Sequence, residues 1–261
     1  MDSNRERIKA NFADVEAYDR RIKRFVPYYE EMMASVLACL SQIENRCSIL
    51  ELGCGTGNLS LKMLEKAPNA RLTAVDLADE MVQACRERLI NYQERTDFIC
   101  ADMVEFCRPG AFDYVLSNLA LHYPETDKKK LQTCRNVFKS LKPGGFFSFS
   151  AMLDGETQEL RQRIWKMWEQ DVLENGVSSA ELEEWCTTCH KTDYPVPSSL
   201  WFRWLKETGF TYYDLIWFET IFGTIWARKP SRRITDSLQN HFSLKKDRVR
   251  RTSENLRAGN E

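Results

Sequence analysis

The segment Ile49-Leu50-Glu51-Leu52-Gly53-Cys54-Gly55-Thr56-Gly57-Asn58 constrains this chain more than any other. An apolar run of strand length enters a turn with glycine at every second position, and a helical pattern opens beyond it. Glycine at such a turn lets the backbone bend sharply and approach a ligand closely. The spacing is G-x-G-x-G, and the dinucleotide fingerprint G-x-G-x-x-G would need its third glycine where Asn58 stands. Glu51 sits two positions ahead of the loop. A pyrophosphate at the helix N-terminus finds that carboxylate unfavourable, whereas a cationic ligand without phosphate is attracted to it.

Short apolar runs alternate with helical ones around this loop. Strands are expected over 48–52, 71–75, 97–101, 112–117 and 146–150, with helices over 59–66, 80–89 and 129–140. Strands alternating with helices imply an α/β fold with a parallel sheet covered on both faces. Upstream, apolar positions recur at helical spacing from Phe12 to Leu40. Pro27 interrupts them, so one helix ends near Phe25 and a second starts near Tyr28. After Met152 the pattern turns helical, over 156–174, 179–191 and 198–208, and two more strands follow at 212–218 and 222–227. Their short link requires antiparallel pairing, since a parallel crossover needs a dozen or more residues. The expected organisation is N-terminal lid helices (1–44), a cofactor-binding core (45–151), a helical cap (152–210), the final strands (211–229) and a basic tail (230–261).

Acidic and amide residues recur at the strand ends. Asp76 closes the second strand, where a carboxylate either accepts both hydroxyls of a ribose or caps the following helix. Asp102 follows the third, positioned for the amino group of an adenine with Met103 beside the ring. Asn118 ends the fourth, and ligands of open α/β sheets lie outside those carboxyl ends. Asp113, at the start of that strand, reads as structural.

This series, Glu51 to Gly57, Asp76, Asp102, Asn118 and Leu141-Lys142-Pro143-Gly144-Gly145, resembles the motifs of class I S-adenosylmethionine-dependent methyltransferases. The resemblance covers roughly residues 12–229. It implies a Rossmann-like, seven-stranded, mostly parallel sheet with the last strand antiparallel, lid helices ahead of it, and a helical insert between strands 5 and 6. S-adenosylmethionine, with an ammonium, a sulfonium and no phosphate, suits the acidic loop, and S-adenosylhomocysteine is the expected product. The implied cofactor-binding residues are Glu51, Gly53, Cys54, Gly55 and Gly57 at the loop, Asp76, Leu77 and Met81 after the second strand, and Asp102, Met103 and Asn118 beyond. Tyr18 and Tyr29 join them from the lid helices, with Phe12 as a further cover. Val26-Pro27-Tyr28-Tyr29, the stretch 118–123 and the ending from Gly209-Phe210 to Lys229 are most similar to the branch containing carboxy-S-adenosylmethionine synthase. That branch holds an extra carboxylate with an arginine. Here Trp204 takes its place and Arg203 is one residue off, which favours ordinary methyl transfer to a small-molecule acceptor.

A methyl group on a sulfonium is already activated, so the protein must mainly align the acceptor and exclude water. If a proton must leave the acceptor, His122 beside Tyr123 is the expected base or positioning group; a packed histidine is the alternative. His190 falls in the cap and His241 in the tail. All seven tryptophans lie after residue 164, where substrate covers are built in this superfamily, and most of these rings are expected to be core. Cys186-Thr187-Thr188-Cys189-His190 spells the c-type haem attachment motif, yet the polar N-terminus lacks the export signal that haem attachment requires. One C-x-x-C pair falls short of the four ligands of structural zinc. Packed free thiols are expected and no metal, with thiolate capture of a metalloid substrate as the rival.

The 261 residues carry 37 basic and 38 acidic side chains, a formal charge of -1. From Arg228 onward ten basic residues face four acidic ones, against 27 basic and 34 acidic in the rest. Such an arm contacts RNA phosphates, docks on an acidic body or is simply a solvated terminus, the last being favoured over tRNA binding. A non-catalytic cofactor-binding module is the third functional alternative. Nine cysteines with no small-scaffold spacing and no membrane-length apolar run point to a cytoplasmic chain; a monomer or homodimer is expected.

Overall fold

A computed structural model describes residues 3–11, 15–40 and 46–231. The first 229 residues form one compact unit. The basic tail beyond Ser231, with His241, lies outside the described residues, as does Phe12.

The central sheet has seven strands: β1 (Ser48–Leu52), β2 (Arg71–Asp76), β3 (Thr96–Cys100), β4 (Phe112–Asn118), β5 (Leu141–Met152), β6 (Tyr212–Glu219) and β7 (Phe222–Arg228). Their order is β3-β2-β1-β4-β5-β7-β6. β1 to β5 run parallel, and β7 lies antiparallel to both β5 and β6. This is the doubly wound architecture expected from the alternation of strands and helices. Chain order reverses at β1, whose neighbours β2 and β4 leave in opposite directions and open a crevice at their carboxyl ends. Ile49, Leu50 and Leu52 are buried on both sides of the sheet, as a strand covered on both faces requires.

The helices are α1 (Ser3–Asn11), α2 (Val15–Phe25), α3 (Tyr29–Leu37), α4 (Asn58–Lys66), α5 (Asp79–Arg88), α6 (Asp127–Ser140), α7 (Gln158–Glu174), α8 (Ser179–Thr192) and α9 (Ser198–Thr208). Two buried clusters flank the sheet. Met32, Met33 and Val36 of α3, Met63 of α4 and Trp168 of α7 belong to one; Val137 of α6, Trp201 and Trp204 of α9, Phe147 and Phe149 belong to the other. Side-chain capping fixes the insert: Thr157 accepts from Leu160 N–H, and Ser178 with Glu181 forms a reciprocal capping box at the start of α8.

The break at Pro27 separates α2 from α3 as the proline predicts. α1 is not legible from apolar spacing, because Ile8 is its only large apolar residue. α7 and α8 are tied to the end of α2 by aromatic packing. Trp185 stacks on Phe25 with centroids 5.3 Å apart, Trp168 lies 4.8 Å from Trp185, and the Trp168 indole donates to the Phe25 carbonyl at 2.9 Å. Trp168, Trp201 and Trp204 are fully buried, whereas Trp165, Trp185, Trp217 and Trp226 are half-buried.

Candidate functional site

The glycine loop is shaped by left-handed backbone. Gly53, Gly55 and Gly57 take φ of 74°, 50° and 85°, values that side chains with a Cβ resist. A Cβ at Gly53 would stand 2.2 Å from Ala120 Cβ. The N–H groups of Gly53 and Cys54 both donate to the Val75 carbonyl, at 2.8 and 3.0 Å, which lays the loop over the end of β2. Asp76 completes the attachment: one carboxylate oxygen accepts from Gly55 N–H at 2.8 Å and the other from Ala78 N–H at 3.0 Å. Burial raises the Asp76 acid above its ordinary value against the opposing pull of these N–H donors.

The cleft at the strand ends encloses about 750 Å³, its mouth included. Gly53, Gly55, Asp76, Leu77, Met81, Asp102, Met103, Asn118 and Tyr123 line it, together with Tyr18 from α2. A smaller chamber of about 270 Å³ lies beneath the loop and shares Tyr18, Gly53, Gly55 and Asn118; Tyr29, Glu51 and Cys54 line its depth. The structure thus brings the strand-end residues of β1, β2, β3 and β4 to one crevice. Gly57 stands apart from the lining and instead begins α4, packed where a Cβ would meet the Cys85 sulfur at 3.0 Å.

Three members of the set differ in state from a simple ligand. Glu51 is buried and accepts a hydrogen bond from the Ser60 hydroxyl, and burial pushes its acid well above the usual carboxylate range. Asp102 accepts Val104 N–H at 2.7 Å, while its other oxygen pairs with Arg5 of α1 at 2.6 Å. His122 is 2 % exposed and does not line the cleft. Its Nδ1 accepts from Met152 N–H at 3.3 Å, and burial with nearby Lys130 lowers its pKa to about 3. The expected base is therefore a packed neutral imidazole, and its neighbour Tyr123 faces the cavity instead. Burial raises the phenols of Tyr18 and Tyr123 well above their ordinary range, so both stay protonated. Arg203 is exposed on α9 and Trp204 is buried in the core, and neither lines the cleft.

A polar cluster unseen in the sequence joins α2 to the glycine loop. Asp19 of α2 accepts from the Thr56 hydroxyl at 2.7 Å and the Asn58 amide at 3.0 Å, and pairs with Arg88 of α5. Arg88 also donates to Thr56 at 3.1 Å. These donors lower the Asp19 acid despite its partial burial. No local signal announces the cluster, because its members come from three elements up to 69 residues apart.

Cys186 and Cys189 lie one turn apart on α8, half-buried and buried, and all nine cysteines are free. Among the described residues no group of three or more His, Cys, Asp or Glu is placed to hold a metal ion. Likewise, no described helix is long and apolar enough to cross a membrane.

Residues 49–145 match the family described as "Methyltransferase domain". The chain is 34% identical over 113 residues to malonyl-[acyl-carrier protein] O-methyltransferase of Priestia megaterium, covering 43% of this chain and 39% of that protein. It is 26% identical over 207 residues to carboxy-S-adenosyl-L-methionine synthase of Shewanella sediminis, covering 77% and 84%. Among solved structures it resembles the N-methyltransferase NodS of Bradyrhizobium japonicum, crystallised with S-adenosylhomocysteine, at a TM-score of 0.55 and 19% identity over 78% of this chain and 89% of that one. The strand order, the glycine loop and the strand-end carboxylates converging on one cleft thus accompany a methyltransferase domain over residues 49–145, in a fold similar to that of a solved N-methyltransferase.

Proposed function

We propose that the chain transfers a methyl group from S-adenosylmethionine to a small-molecule acceptor, with the cofactor in the cleft at the strand ends. The observation that carries this reading is the state of Asp76: a partly buried carboxylate fixed by backbone N–H groups of the glycine loop and of the turn after β2, on the wall of the cleft where hydroxyl donors of a ligand would lie. Leu77, Met81 and Met103 supply apolar surface for a flat base. The bound cofactor supplies an electrophilic methyl on a sulfonium, and the protein contributes alignment and dryness. Gly53 and Gly55 allow close backbone approach. Tyr18 from the lid and Tyr123 from the β4–α6 connection flank the far end as protonated phenols, which hold hydrogen bonds and present ring faces without acting as bases. Arg5 and Asp19 fasten α1 and α2 over the crevice.

The test is thermal stability. Ligand at a hundred times its Kd stabilises a native state by about 2.7 kcal/mol. S-adenosylhomocysteine should raise the melting temperature of the full chain, and Asp76→Ala should abolish the rise. Absence of any shift with either form of the cofactor rejects the reading. The free thiols support a reducing, cytoplasmic setting for this activity.

A further inference from the structure

A second cavity, about 1320 Å³ with its mouth, opens between α2 and α8 and shares Tyr18 and Tyr123 with the cofactor cleft. Resting on the methyltransferase reading above, we propose that this cavity is the acceptor site, that it takes a small amine carrying an anionic group, and that Asp193 receives the proton the nitrogen gives up.

The two shared tyrosines border both spaces, so the cavity adjoins the cleft and a ligand in it lies on the other side of their rings from the cofactor's far end. Asp193 stands at that junction. The Tyr194 N–H donates to the His122 carbonyl at 3.1 Å, which fastens the residue after Asp193 to the residue before Tyr123. Asp193 and Tyr123 line the same cavity. One Asp193 oxygen accepts the Thr192 hydroxyl at 2.8 Å, and the Cys189 thiol also donates to the carboxylate. Burial raises this acid to about 6, close to working pH.

The charges facing Asp193 decide the ligand class. From α2 come Arg20, Arg21 and Arg24; from α8 come Glu181 and Glu184. Arg24 is spoken for, its guanidinium held by Glu181 at 2.7 Å, at the end of α8 remote from Asp193. A carboxylate or phosphate cannot enter beside Asp193 without repulsion, whereas an ammonium gains its charge and the ring faces of Tyr18 and Tyr123. An alcohol is too weak an acid to give its proton to a group of this strength before attack. Arg21, near enough to Tyr18 and Cys189 to favour their ionisation, offers the anionic end of the same ligand a partner. Trp185 and Phe25 form the apolar wall between.

The step balances. The bound ammonium gives one proton to the Asp193 carboxylate. The freed nitrogen lone pair forms the N–C bond to the methyl group as the S–C bond breaks, its electron pair passing to sulfur. The products are a methylammonium and the thioether, and Asp193 returns its proton to water.

The experiment uses the full chain with glycine, β-alanine and 4-aminobutyrate as probes, against ethylamine, glycolate and 3-mercaptopropionate. Calorimetric titration with S-adenosylhomocysteine present reads acceptor binding, and S-adenosylhomocysteine release reads turnover. Saturable binding and methylation of at least one ω-amino acid is expected, with kcat/KM rising as pH passes through about 6. Asp193→Asn should lower kcat/KM at least 100-fold and erase that limb while the cofactor melting shift persists. Arg21→Met, an exposed change tolerated by the fold, should raise KM for the amino acids about tenfold and leave ethylamine unchanged. Overturning results are binding or methylation confined to glycolate or the thiol, an Asp193→Asn variant within threefold of the parent, or no binding by any amine while the cofactor still shifts the melting temperature. Loss of the cofactor shift itself in the parent chain overturns both the site and the methyltransferase reading.

Discussion

Arg5 and Asp102 meet at 2.6 Å on the wall of the strand-end cleft, joining the first helix to the end of the third strand. The same guanidinium reaches Glu105 at 2.7 Å. The carboxylate expected to receive an adenine is therefore also the anchor of α1. Replacing Arg5 by alanine should free the helix and shorten the residence of S-adenosylhomocysteine, raising its dissociation rate roughly three- to tenfold. That range is about 1 kcal/mol, appropriate to a partly exposed pair. Stopped-flow displacement measures it, and an unchanged rate would show that α1 is no barrier to exit.

Asp19 should fasten α2 in the same manner. Arg88→Leu removes its charged partner while Thr56 and Asn58 remain as donors. Amide exchange over residues 15–25 is expected to accelerate about tenfold with the sheet unaffected. The Asp19 acid is depressed in the folded state, so its contribution is present above the ordinary carboxylate range and is lost as pH falls through the lowered value. Protection over 15–25, taken against the intrinsic exchange rate at each pH, should therefore fall in acid in the parent chain, and less so in Arg88→Leu.

His122 acts in the same direction for the opposite reason, since here it is the charged form that burial excludes. Its folded pKa of about 3 lies below the ordinary 6.5, so the unfolded chain binds a proton that the folded chain refuses. Stability should fall as pH drops from about 6.5 toward 3, by up to several kcal/mol from this group alone. His122→Asn is expected to cost stability at neutral pH through repacking, to flatten that acid slope, and to leave the pH profile of turnover unaltered in shape. Chemical denaturation at stepped pH and a rate profile separate these effects; loss of a kinetic limb near neutrality would restore His122 as a base.

Gly53→Ala should destabilise by more than about 2 kcal/mol, because the new methyl meets Ala120 and the backbone keeps a left-handed φ. The double change with Ala120→Gly relieves the collision and leaves the backbone cost of about 1 kcal/mol. Melting curves of the single and double variants read the two contributions apart.

The strand ends were legible because each lies within a few residues of a strong apolar run: Glu51, Asp76, Asp102 and Asn118 are placed by periodicity and by the short reach of a turn. The boundary of α2 followed from Pro27 for the same reason. What escaped is made by docking. α1 carries one large apolar residue and no periodic face, so nothing in its own sequence marks it as a helix or as a cover. Asp193 ends α8 like many capping aspartates, and only the packing of α2 along α8 turns it toward a cavity. His122 was misplaced for a related reason: its position after β4 is readable, but the tie to Met152 that turns its ring into the core is a contact across 30 residues.

The polarity of α1 has a consequence for how the protein behaves in different media. With Ile8 as its only apolar anchor, the helix is held by charge, and charge at a partly exposed surface weakens as ionic strength rises, the screening length shrinking from roughly 30 Å at 0.01 M to 3 Å at 1 M. Added salt should loosen this closure as it leaves the buried sheet intact. Where departure of S-adenosylhomocysteine limits turnover, a simple electrolyte then acts as an accelerator, and the rate of the cycle becomes a report on the ionic composition around the molecule.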